Sequence, residues 1–494
     1  MSFSVRAWAY FLYRSFGPCT TIWQITKITV YISISEERMR LKLLVVFLSL
    51  FAFTFSTVNA AEFTAPAIKK PSYAKKNQKL ADSFRQKLFN RFITYTTHDS
   101  QSSETQEITQ EQIDTAHKLM AELKSLGIDA QLTEHYYIFV DLPSNLAWDA
   151  PVLGYSCHYD TTPDNLGKNI KAQVIEKYDG KPIVLKNNQV IDPSTEKDAY
   201  LATQVGKKVV TSDGTTILSA DDKAGLSVVV TFLETLVKNP SKPHGRIQVV
   251  IAPNEDVGRA AQYIEETGYN PDISFDFDGG SDGRVVAENF NAESVIFTVK
   301  GTPGHQSYAA TNGYRNAWKP ACQLGDSICR DQDLPNNSSG EQGYAELHHM
   351  YYPENQVSTA MLDIRLRGFD QGEMDNWKER ADTIANTIAE KYEVAISKQV
   401  VRSYGNVGEA LHESTLAVMY GAFNSANVEP KIEKMRAGTT ASMFLVKTGK
   451  GALTVFTGQN NPHALTEWLS EEDMFKSYLI SLNLADEVAK LKLK

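Results

Sequence analysis

Short apolar runs at residues 151–157, 246–252, 273–277 and 453–457 each give way to residues that could do chemistry. His158 and Asp160 follow the first run, Glu255 and Asp256 the second, Asp278 the third and His463 the fourth. Asp221 stands in Ser219-Ala-Asp-Asp-Lys-Ala-Gly225, at the mouth of a helical stretch. Imidazoles and carboxylates are the donors that zinc, manganese or cobalt take. A lone aspartate at a strand end is ordinarily a helix cap or a solvated turn. His158, Asp221, Asp256, Asp278 and His463 together are too many for one tetrahedral ion that keeps an open position. They suit two ions sharing a bridging carboxylate, roughly 3.5–4 Å apart. Glu255 is adjacent to a ligand without being needed as one, which is where a general base must sit.

Those residues need elements to hold them. The apolar runs read as buried strands, alternating with helical stretches such as 224–238 and 414–426, and this implies a doubly wound mixed α/β sheet. In such sheets the ligand site lies beyond the carboxyl ends of the strands, where all of these residues fall. Earlier, 108–126 has helical periodicity and 135–142 alternates like a strand. From 291 to 403 the rhythm changes to strand 294–300, helix 316–330, strand 344–351, strand 357–367, helix 371–391 and strand 393–401. That β-α-β-β-α-β order is ferredoxin-like and reads as an inserted lid and dimerisation domain. The expected organisation is a leader over 1–60, a catalytic domain over 61–290 and 404–494, and the inserted domain over 291–403.

With 50 Lys and Arg against 59 Asp and Glu, the formal charge is −9, which argues against a nucleic-acid partner. Four cysteines cannot staple a chain of 494 residues. Cys157 reads as a buried strand residue rather than a nucleophile, for no base partner is evident. Met39-Arg-Leu-Lys42, the apolar run 43–55 and the small residues ending at Ala60 form a three-part secretory pattern. About thirteen apolar residues fall short of the roughly 20 that span a bilayer. The expectation is cleavage after Ala60, export to the periplasm or medium, and no stable membrane insertion afterwards.

Over about 80–485 the chain resembles the peptidase T branch of the di-zinc exopeptidases. The resemblance is carried by Ser156-Cys-His-Tyr-Asp-Thr-Thr-Pro-Asp164, Gly167-Lys-Asn169, Thr211-Ser-Asp-Gly214, Ala220-Asp-Asp-Lys-Ala-Gly225, Pro253-Asn-Glu-Asp-Val-Gly258, Asp278-Gly-Gly280, Ala287-Glu-Asn-Phe-Asn291 and Phe456-Thr-Gly458. It implies two zinc ions, with cobalt or manganese as alternatives. His158 and Asp278 would hold one ion, Asp256 and His463 the other, and Asp221 would bridge. It further implies that Asp160 orients His158, that Glu255 is the base, and that His305 supports the oxyanion from the partner subunit of a homodimer. Arg367 would grip the substrate carboxylate, with Asn316 and Arg436 as further candidates. Asp256 stands where the family has glutamate, Thr440 where it has aspartate and Ala437 where it has glycine. Gln306 and Ser307 replace Pro-Gly after His305.

The activity expected is zinc-dependent release of the N-terminal residue from short peptides, chiefly tripeptides. A carboxypeptidase or N-acyl amino-acid amidohydrolase of the same clan is the alternative. A non-catalytic peptide-binding protein is disfavoured, because Glu255 and every ligand position hold capable donors.

Overall fold

The four apolar runs form the strands Leu153–His158, Ile247–Ala252, Ile273–Gly279 and Ala452–Phe456 of the computed structural model. It describes residues 71–330, 333–353, 356 and 358–493, so the leader lies outside the described residues. These strands are buried almost throughout because both faces of the sheet are covered. Val249 and Ile251 face a large core that includes Phe232, Leu236, Phe423, Phe475 and Leu482. Val250 and Ala252 face a smaller one with Tyr269, Met443 and Phe444.

The main sheet has eight strands, in the order Ala130–Leu132, Ile138–Leu142, Ile247–Ala252, Leu153–His158, Ile273–Gly279, Ala452–Phe456, Arg284–Asn289 and Lys431–Met435. The four central strands run parallel, and antiparallel neighbours at Ile138–Leu142 and Arg284–Asn289 make the sheet mixed. Helix Ala220–Lys238 crosses beneath the strand ends, and its first turn comes very close to the sheet. A Cβ on Gly225 would lie 1.7 Å from the Phe277 carbonyl oxygen, so only glycine fits at this crossing.

The lid is a four-stranded antiparallel sheet in the order Tyr344–Tyr351, Thr359–Gly368, Asn291–Lys300, Ala395–Tyr404. Helices Trp318–Ile328 and Gln371–Tyr392 cover one face. Leu362, Ile364 and Leu366 point into that helical core, so their neighbours Arg365 and Arg367 point out of the opposite face. The order of elements is the one the sequence predicts, with boundaries shifted by a few residues. The strands Arg284–Asn289 and Lys431–Met435 lie side by side and parallel, although the whole lid separates them in sequence. Where the chain leaves and returns, asparagines stitch the two crossings together. Asn406 N donates to Asn291 Oδ1 (2.8 Å), Val407 N to Asn289 Oδ1 (3.0 Å), and Asn289 Nδ2 to the Gly405 carbonyl (2.9 Å).

The sequence does not predict a further small sheet. Its strands, Gln459–Asn460, Trp468–Ser470, Val209–Thr211 and Gln173–Ile175, are two or three residues each. Cys157, Cys322 and Cys329 are free thiols, and Cys157 is buried in its strand as expected. Among the described residues, no helix is long and apolar enough to cross a membrane.

Candidate metal and peptidase site

His158 is the last residue of its strand and is fully buried. Its Nε2 lies 3.0 Å from Asp221 Oδ1, 3.6 Å from Asp278 Oδ1 and 3.9 Å from Glu255 Oε2. Its Nδ1 faces Asp160 Oδ1 at 3.3 Å without the alignment of a hydrogen bond. The Asp160 carboxylate also accepts the main-chain N–H groups of Glu255 (2.9 Å) and Asp256 (3.2 Å). One buried carboxylate thus fixes the loop after strand Ile247–Ala252 against the imidazole of the neighbouring strand.

His463 approaches from the other side. Its Nε2 lies 2.8 Å from Asp256 Oδ1 and 3.4 Å from Asp221 Oδ2, and its Nδ1 lies 3.0 Å from Asp164 Oδ2. The residue has φ +62, and Asn165 Nδ2 donates to its carbonyl at 2.7 Å. Asp278 is held by Gln459 Nε2, which donates to its carbonyl (3.0 Å) and its Oδ1 (3.2 Å). Two donor sets with ligand atoms within 4.8 Å of one another result, His158–Asp221–Asp278 and Asp221–Asp256–His463, and Asp221 belongs to both. Glu255 completes a third group with His158 and Asp256.

The electrostatics test whether cations fit here. Burial and the neighbouring Asp221 push Asp256 up to about 7, and the same two causes raise Asp278. Burial raises Glu255 well above the carboxylate range, helped by Asp278, Asp256 and Asp221. Hydrogen bonds to Asp221 and Asp256 push His463 up to about 12. Burial alone would lower His158, yet Asp278, Asp160 and Asp221 hold it well above its ordinary range. Asp256 Oδ2 is buried without a hydrogen-bond partner. Carboxylates that retain protons beside imidazoles that gain them mark a cluster short of positive charge, and divalent cations fit that donor set.

Several residues of this centre carry no role that their sequence context assigns. Lys223, fully buried, donates to Ser100 Oγ (2.5 Å) and to the Tyr159 carbonyl, and burial brings its ammonium down to about 8. Asp222 Oδ2 accepts the His158 N–H at 3.3 Å. Asp276, one layer deeper, accepts from Ser156 Oγ (2.6 Å) and from Ala441 N (3.3 Å) at the start of helix Thr440–Thr448. Lys223 and Asp222 stand within the motif around Asp221, so adjacency could have flagged them. Asp276 alternates with Asp278 along a buried strand, which is a signal of the same kind. Glu467, fully buried, accepts the Asp221 main-chain N–H at 2.9 Å and had no signal in the sequence.

A cavity of about 730 Å³ opens over the cluster. Glu255, Asp278 and His463 form its floor, and Arg365, Arg367 and Tyr404 of the lid reach into it. Three predicted residues are elsewhere. His305 is exposed, with Nδ1 accepting from Ser307 N at 3.3 Å, and does not line the cavity of its own chain. Asn316 is exposed, and its Oδ1 accepts the Lys319 N–H (2.9 Å) at the start of helix Trp318–Ile328. Arg436 donates to the carbonyls of Gly340 and Gln342 (both 2.8 Å) and lies over Phe290, tying down a lid loop. Arg367 lines the cavity, its Nη1 donating to the Leu366 carbonyl at 2.8 Å.

Comparison with known proteins agrees with this geometry. The family model of Peptidase family M20/M25/M40 matches residues 219–487. Peptidase T of Bacillus licheniformis is 33% identical over 416 residues, covering 82% of this chain and 98% of that protein. Peptidase T of Bacillus subtilis is 32% identical over 413 residues, with the same coverage. The fold is similar to those of the aminopeptidase PepT from Bacillus cereus (TM-score 0.59, 18% identity, 82% of this chain and 99% of that one) and a Staphylococcus aureus tripeptidase (0.58, 19%, 82% and 99%). It is also similar to that of a dinuclear metal-binding M20 peptidase from Bacillus subtilis (0.56, 13%, 83% and 99%).

The relatives correct one expectation. Peptidase T proteins are typically cytoplasmic, so export of this chain does not stand. The basic-then-apolar pattern at 39–60 is a matter of composition, and a pattern of that kind does not by itself make a leader.

The cluster of imidazoles and carboxylates at the strand ends, the ferredoxin-like lid over it, and a relative 33% identical across four-fifths of the chain lead to one assignment: the chain belongs to peptidase family M20/M25/M40, in its peptidase T branch, and is a hydrolase of the aminopeptidase type.

Proposed function

We propose that the chain is a di-zinc aminopeptidase releasing the N-terminal residue from short peptides, chiefly tripeptides. The observation that carries this is Asp221, which presents one oxygen to each imidazole, 3.0 Å from His158 and 3.4 Å from His463. In this reading His158 and Asp278 would hold one ion, Asp256 and His463 the other, and Asp221 would belong to both. Ions held there would supply Lewis-acid polarisation of the scissile carbonyl and a more acidic attacking water. Glu255, on the cavity floor, would take a proton from the attacking water and deliver it to the departing amine. Asp160 keeps the His158 ring and the Glu255 backbone in one geometry. Asp256 has a shorter arm than the glutamate of relatives, and contact with His463 at 2.8 Å supports its reach.

A guanidinium pairs with a carboxylate through two parallel hydrogen bonds, so Arg367 on the lid receives the peptide's C-terminus. The exposed strand Ala395–Tyr404, with Val400 and Val401 at its edge, supports a homodimer through the lid. His305 then serves the partner's cavity.

Metal content and end-group preference test this reading together. Two zinc ions per chain and loss of turnover with a chelator are expected. C-terminal amidation of a tripeptide should raise KM sharply, and Arg367→Ala should remove the difference between acid and amide. Trace metal in an active preparation would overturn the metal centre. Equal cleavage of N-acetylated and free tripeptides would replace the aminopeptidase with the amidohydrolase.

A further inference from the structure

Glu467 is fully buried, and its carboxylate accepts three main-chain N–H groups: Leu218 (2.7 Å) and Ser219 (2.7 Å) on Oε2, Asp221 (2.9 Å) on Oε1. All three belong to the turn that opens helix Ala220–Lys238, where N–H groups lack partners within the helix. Ser219 sits there in the left-handed region at φ +60, so the turn is not one the backbone would choose unaided. The carboxylate replaces water for three donors at once in a place water does not reach. An amide could not do the same, for it has one acceptor oxygen and would turn two N–H donors toward the turn.

The sequence position of Glu467 adds a second consequence. It lies four residues after His463, on the same loop, and that loop is pinned again by Asp164 and Asn165 at His463. Glu467 therefore ties the backbone of Asp221 to the loop carrying His463. Asp221 Oδ2 and His463 Nε2 are 3.4 Å apart.

We infer that Glu467 is a positioning residue that fixes the shared carboxylate Asp221 and His463 in register as one unit, so that it governs metal affinity without touching metal or substrate. The inference rests on the metal-centre reading above. Supporting groups of this kind are worth about 10- to 100-fold in metal affinity.

The test is calorimetric titration of chelator-stripped wild type and Glu467→Gln with Zn²⁺, alongside thermal unfolding of both stripped proteins. The expected result is two ions on wild type and, on a folded Glu467→Gln chain, binding about 10- to 100-fold weaker, with kcat reduced and KM held. Excess Zn²⁺ should restore part of the lost turnover in the variant, which damage to the fold would not permit. If Glu467→Gln does not fold, Glu467→Asp is read by the same criteria, its shorter arm reaching only part of the turn. Unchanged affinity in a folded variant overturns the inference, as does lost turnover with normal Zn²⁺ binding. Failure of wild type to bind two ions overturns the metal-centre reading instead.

Discussion

Asp160 shows how much one side chain can hold at this site. It faces His158 on one strand and fastens the backbone of Glu255 and Asp256 after the next, so the proposed base and two proposed ligands share an anchor. Asp160 holds Glu255 by its main-chain N–H, which leaves the Glu255 side chain for the proposed role of base. Glu255→Gln keeps shape and cannot accept a proton, so turnover should fall at least about 10²-fold while zinc content by elemental analysis stays unchanged. Near-normal turnover would show that another group takes the proton. At this scale the sequence was most legible where chemistry follows a strand end: His158, Asp256, Asp278 and His463 could be read from the apolar runs before them. The places of Asn316, whose amide caps a helix, and Arg436, whose guanidinium holds a loop, depend on where each side chain turns, which letters alone do not show.

Elements explain which parts of the fold could be read. The central strands and the lid helices have long apolar or periodic stretches, and their order was predictable from them. The small sheet around Val209–Thr211 has strands of two or three residues, too short to show period-two alternation, so the stretch between Asp164 and Leu218 gave no pattern. The tight crossing of helix Ala220–Lys238 over strand Ile273–Gly279 is a property of neither element alone. Gly225→Ala should force the two apart and cost about 1–3 kcal/mol, read as a lowered Tm in the stripped protein, with weaker zinc binding because Asp221 moves with the helix. A variant with unchanged Tm would mean that the helix can retreat without loss.

For the whole molecule, what matters is whether one chain holds a complete site. His305 is exposed and does not line the cavity of its own chain, so under the proposed dimer each half lends its His305 to the other while its own Arg367 stays over its own cavity. Mixing inactive Glu255→Gln chains with inactive His305→Ala chains should restore activity, because one of the two sites in each hybrid then carries neither substitution. No recovery after confirmed subunit exchange would place His305 outside the reaction. Val401→Lys at the exposed lid edge should shift the protein toward monomers in sedimentation and lower activity in step.

The stitching of Asn289, Asn291 and Asn406 brings the two crossings into the lid side by side. Its first and last strands pair at Ala292 and Tyr404, so the cut ends of the remaining chain would be neighbours already. All of the proposed ligands lie outside the excised stretch. A chain in which 291–404 is replaced by a short glycine-serine bridge should fold, take up zinc and lose its discrimination between acid and amide tripeptides. Such a core would separate, in a single molecule, the machinery that breaks the bond from the machinery that measures the peptide.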